Sequence, residues 1–173
     1  MLRGITAPQG TSKMVEFINM ENIDDQIRLY AAHYLARAKE LDLDAFKFQL
    51  NKAMLEESNP EIKMVLVLAL GKINDPEIRE SLINQLSLNQ DYRVTTNVIR
   101  ALKKDAYPLV AEKILSLINS ENYHIASAAI QYFANHGNKD DAPMYRDKTR
   151  DSLGFVLEAQ LYDASFKLSL IHI

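Results

Sequence analysis

Three stretches of this chain repeat one pattern at intervals of 31 or 32 residues. The first starts at Pro60, the second at Tyr92, the third at Tyr123. Ile62, Val94 and Ile125 correspond; so do Leu66, Val98 and Ala129, and Leu70, Leu102 and Phe133. Within each stretch these positions are four residues apart, the spacing of one helical face. A repeat of this length is one helical hairpin, and a hairpin cannot bury its apolar stripe alone. Neighbours must stack. The product is an extended surface, and extended surfaces mostly bind other macromolecules.

Helix starts follow from capping chemistry. Asp75 before Pro76 and Asn59 before Pro60 pair a side-chain acceptor with a residue suited to the first helical turn. Asp91, Asp105, Asn122 and Asp141 are further starts. The predicted hairpins are 24–39 with 43–58, 60–73 with 76–88, 92–104 with 106–119, and 123–136 with 141–151. A helix near 12–20 reads as the second half of an earlier pair, and one near 153–168 as the first half of a later one. Residues 1–23 are thus a half-repeat and linker, 24–151 the repeats, and 152–173 a half-repeat or tail. Ile78, Leu82 and Leu86 form one inner stripe; Leu109 or Val110, with Ile114 and Leu117, form the next. Alternating strand patterns and Asn-Gly or Asp-Gly hairpins are absent.

Composition narrows the function classes. The 173 residues include no cysteine, so disulfides, thiolate catalysis and cysteine zinc sites are excluded within them. A net charge of −3 lacks the basic footprint of a nucleic-acid binder, so no nucleic-acid partner is expected. No apolar run nears the roughly 18 residues of a membrane span, so no membrane insertion is expected. The first residues lack the apolar stretch of a signal peptide, which slightly favours a cytoplasmic setting; a piece of a longer chain would lack one too, so the compartment stays open. His33, His124, His136 and His172 are scattered, with no i, i+4 pair, so neither metal nor cofactor is expected. The acidic pairs Asp24-Asp25 and Asp140-Asp141 stand at helix starts, where carboxylates complement the dipole. Glu56-Glu57 ends a helix and reads as a solvated pair. No nucleophile has a base at a recognisable spacing, and no catalytic residue is assigned. Arg93, Asn97, Arg100 and Lys104 share one helical face, read as solvated. Tyr92 and Tyr123 stand where the first stretch has Pro60 and read as packing residues between repeats.

The run from Asn59, Pro60, Glu61 and Ile62 through Leu68, Ala69, Leu70, Gly71, Lys72 and Ile73 to Asp75, Pro76 and Glu77 resembles HEAT repeats of the short bacterial type. The resemblance covers most of residues 24–151. It implies an all-α superhelix of HEAT-like or armadillo type, with about four antiparallel hairpins plus terminal half-repeats. It implies a scaffold for protein–protein contact without catalysis. Some relatives are enzymes, namely bilin lyases and DNA glycosylases. The glycosylases use tryptophan-containing clefts on strongly basic surfaces, and this chain has no Trp and is acidic. Residues 121–164, with Ala128 to Ala142 and Leu161 to Ala164, are also similar to HEAT regions joined to cyclophilin-type prolyl isomerases. That would make the chain the solenoid portion of a larger enzyme.

By the same resemblance the second helices line a concave groove. Aligned at a shift of 32 residues, Phe48 and Lys52 match Glu80 and Asn84, then Glu112 and Ser116. The fourth hairpin supplies Asp147 and Asp151. Glu80, Glu112 and Asp147 would form an acidic ladder, with Phe48 as an apolar contact at one end. Such a groove suits a basic or extended peptide from another protein or another domain of the same chain. The apolar stretches Leu153–Tyr162 and Leu168–Ile173 offer a homodimer contact.

Overall fold

A computed structural model describes residues 7–39, 41–88, 90–141 and 143. The expected helices at 141–151 and 153–168, and the tail at 152–173, lie outside the described residues. The chain divides into two compact units, Met1–Ala101 and Leu102–Ile173. The first holds α1 (Ala7–Asn19), α2 (Asp25–Arg37), α3 (Lys47–Glu56), α4 (Pro60–Leu70), α5 (Pro76–Gln85) and α6 (Tyr92–Ala101). The second holds α7 (Tyr107–Leu117) and α8 (Tyr123–His136). Short 3-10 turns occupy Asp44–Phe46, Lys104–Ala106 and Lys139–Asp141. No strand occurs, and no helix is long and apolar enough to cross a membrane, among the described residues.

Five starts are capped as their residue types require. Asp24 accepts from the amide of Gln26 at 2.7 Å and Asn59 from that of Glu61 at 3.0 Å. Asp75 takes the amides of Glu77 and Ile78, Asp91 that of Arg93, and Asn122 those of His124 and Ile125. Asp105 departs from expectation. It lies inside the 3-10 turn, and α7 starts two residues later behind Ala106 with no side-chain cap. Asp141 likewise ends a 3-10 turn; it accepts from the Asn138 amide at 2.6 Å and from the Tyr107 hydroxyl.

In the first unit the helices form two rows. α2, α4 and α6 pack side by side in one, and α1, α3 and α5 in the other. α1 also packs on α2. Ile62, Leu66 and Leu70 are fully buried in α4, as are Val94 and Val98 of α6. The α4–α6 approach is tight. A methyl group on Gly71 would lie 2.7 Å from the Ala101 Cβ and 3.0 Å from its Cα, so only glycine lets the helices come this close. Asn97 is the polar counterpart: it is 9% exposed and donates to the Met64 carbonyl at 3.0 Å.

That bond corrects the solvated-stripe reading of Arg93, Asn97, Arg100 and Lys104. Asn97 is buried between helices. Arg93 is held by Asp91 and reaches Glu61 at 3.1 Å, which pushes its pKa up. Lys104 has left the helix for the 3-10 turn. Tyr92 and Tyr123 keep 40% and 45% of their surface in water, more than a packing residue would.

In the second unit, burial settles the α7 stripe as Val110, Ile114 and Ile118, while Leu109 is exposed. Phe133 of α8 is 1% exposed and meets Tyr107 and Tyr132 edge-on, at 5.8 and 6.2 Å between ring centres. The Tyr132 hydroxyl donates to the Lys103 carbonyl at 3.1 Å. Burial raises the pKa of both tyrosines. His136 stacks obliquely on Tyr132 at 4.8 Å, and burial lowers its pKa, with the charge of Lys104 adding to the effect.

Candidate functional site

The predicted contact residues belong to both units. Phe48 and Lys52 on α3, and Glu80 and Asn84 on α5, are all exposed in the first unit. Glu112 and Ser116 are exposed on α7 in the second unit. The Ser116 hydroxyl donates back to the Lys113 carbonyl at 2.7 Å. Asp147 and Asp151 lie outside the described residues.

Two contacts set the α3–α5 register. The Ser81 hydroxyl donates to Asn51 Oδ1 at 2.7 Å, and the Lys47 ammonium pairs with Asp75. The pair holds the Asp75 carboxyl below the usual range and the Lys47 ammonium above it. These links join residues 30 and 28 apart, where the sequence alignment used a shift of 32. The 3-10 turn Asp44–Phe46 runs directly into α3, which starts at Lys47.

The α3 surface mixes apolar and charged groups. Phe48 is 63% exposed, with the Lys47 ammonium 4.9 Å from its ring centre, and Leu55 is 51% exposed. Beyond Lys52 lies a cleft of about 370 Å³, lined by Ile18, Met20, Glu21, Arg28, Lys52 and Glu57 among others.

A buried ion pair forms part of that wall. The Glu57 side chain is 2% exposed and pairs with Arg28. Its other oxygen accepts from the Asn59 amide at 2.8 Å. Arg28 also donates to Asp25 at 3.0 Å and, weakly, to the Ile18 carbonyl at 3.4 Å. Asn59 donates to Asp25 as well, at 2.9 Å. The Asn59 and Arg28 bonds hold the Asp25 carboxyl below its usual range. The solvated reading of Glu56-Glu57 is therefore half corrected. Glu56 is exposed and lies 4.0 Å from Lys52, but Glu57 is interior. Glu57 follows the last residue of α3 with extended backbone, which takes it out of the helical periodicity.

The buried carboxylate and guanidinium of this wall are engaged with each other, with Asp25 and with backbone groups. Among the described residues no group of three His, Asp or Glu side chains is placed to hold a metal.

Comparison with protein families matches residues 49–134 to the family described as HEAT repeats. The matched span opens inside α3 and closes inside α8, so it takes in the capped, stacked helices described above. A comparison with curated proteins finds no match. Repeat spacing, paired rows of short helices and the family match agree: the chain belongs to the HEAT-like repeat family.

Proposed function

We propose that this chain is a non-catalytic protein-binding scaffold whose contact surface includes the outer faces of α3 and α5. HEAT repeats commonly act as interaction scaffolds. The observation that carries the reading is the exposure of Phe48 and Leu55 on one short helix beside Lys52. Large apolar groups held in water beside charges are what a partner surface can bury with gain. Glu80 and Asn84 stand on the neighbouring helix and supply the polar rim. The partner is another protein or another domain of the same chain, and a basic or extended segment suits Glu80 and Glu112.

The test places a photo-crosslinking amino acid at position 48 in source cells, with position 13 on α1 as control. Crosslinked protein is expected at 48 and not at 13. Phe48→Ala, or Glu80→Lys combined with Glu112→Lys, is expected to reduce capture of that protein at least tenfold with helicity unchanged. Capture that survives both changes would sink the proposal.

A further inference from the structure

One edge of the first unit carries the same feature at successive turns. Helices of one row start level with each other: Asn59 bonds to Asp25, Arg93 to Glu61, and Lys47 to Asp75. The ends of α1 and α3 meet at the cleft, which both Ile18 and Ala53 line. The short turns from α1 to α2, α3 to α4 and α5 to α6 therefore share one edge. Each turn holds a large apolar side chain in water. Met20 stands four residues before the cap Asp24, Leu55 four before Asn59, and Leu88 three before Asp91. They are 44%, 51% and 50% exposed. Leu55 is flanked in its row by α1 and α5, so its exposure owes nothing to a missing neighbour helix.

Charge lies between the first two of these turns. The cleft of about 370 Å³ has Met20 and Glu21 on one side and Lys52, Glu56 and Glu57 on the other. Arg28 and Glu57 neutralise each other, and Lys52 stands 4.0 Å from Glu56. Three carboxylates against two cations leave one negative charge in excess, and Glu21 is exposed to supply it. The C-terminal ends of α1 and α3 add their dipoles, which favour a cation.

Spacing selects the backbone of the occupant. Helices packed in a row stand about 8–10 Å apart. Side chains of a β-strand alternate, so residues three apart face opposite ways. A polyproline II segment has about three residues per turn and rises about 3.1 Å per residue, so every third side chain returns to one face after about 9 Å. An apolar residue at every third position of such a segment meets Met20, Leu55 and Leu88 in turn.

We infer that the edge formed by Met20, Leu55 and Leu88 docks a polyproline II segment of another protein. That segment is apolar at every third position, with a lysine or arginine between two of the apolar residues reaching into the cleft beside Glu21. The inference rests on the scaffold reading and names the chemistry of its partner.

Fluorescence anisotropy of a labelled nine-residue peptide, Leu-Lys-Pro repeated three times, tests this with the full chain. Saturable binding is expected, weaker at high salt because the charges meet near water. A peptide of the same composition with its three leucines adjacent is expected to bind about tenfold more weakly, because it cannot set one leucine on each turn. Leu55→Ser and Glu21→Lys change only water-facing side chains, and each is expected to weaken binding about tenfold with unchanged circular dichroism. Equal binding of the two peptides would overturn the inference, because charge alone would then account for it. Binding unaffected by Leu55→Ser, or no saturable binding at any attainable concentration, would overturn it too. Crosslinks at position 48 that persist beside such a result leave the scaffold reading standing, and their loss ends both.

Discussion

Phe133→Ala is expected to destabilise the second unit by about 3–5 kcal/mol, the range for removing a fully buried aromatic side chain. Phe133 is 1% exposed, and its ring is gripped edge-on by Tyr107 and Tyr132. Both tyrosines are tied elsewhere, Tyr107 to Asp141 and Tyr132 to the Lys103 carbonyl. They cannot swing into the vacated space without giving up buried hydrogen bonds, so the cavity stays open. Denaturant unfolding followed by tyrosine fluorescence reads the effect, because Tyr107 and Tyr132 report on this cluster. A loss below about 1 kcal/mol, the size expected of a typical surface change, would mean that the ring is not enclosed as described.

Glu57→Ala is expected to cost about 2–3 kcal/mol. Breaking one side of a buried ion pair typically costs about 3–5 kcal/mol, because the abandoned charge stays buried. The lower figure applies because the Arg28 side chain is 21% exposed and keeps Asp25. Two further effects add to the loss: the Asn59 amide loses its acceptor, and Asn59 is itself the cap of α4. Glu57→Gln separates the contributions, since it keeps an acceptor for that amide while removing the charge. Urea midpoints of the two variants give the comparison, with Glu57→Gln expected to fall between wild type and Glu57→Ala. Equal midpoints for wild type and Glu57→Ala would show that the carboxylate is solvated after all.

The features legible in the sequence are those set within one helical turn. Asn59, Asp75 and Asn122 announce helix starts because a cap acts on amides two or three residues ahead. Ile62, Leu66 and Leu70 announce a core face because the helical period places them together. Contacts fixed across the stack had no such signature. Glu57 meets Arg28 from 29 residues away, and Asn97 meets Met64 from 33. Both looked like surface residues by type and local period. The choice between Leu109 and Val110 turned on where α7 begins, and the 3-10 turn at Lys104–Ala106 decides that. The same kind of turn stands before α3, and Phe48, Lys52, Glu80 and Asn84 all face water in the first unit. Exposure of those four residues depends on which neighbours are present, which a period does not specify.

The matched faces of α4 and α6 bear on how such a chain can change its length. In the row of α2, α4 and α6, α4 packs on α2 as α6 packs on α4, and each starts from a capping residue, Asn59 and Asp91. A duplication or loss of one 31- or 32-residue segment would therefore call for no new kind of contact at the splice. Gly71 against Ala101 sets the exception, because that junction tolerates no bulk. A chain lengthened or shortened by one hairpin at this junction is expected to fold only where a glycine is kept at the position of Gly71.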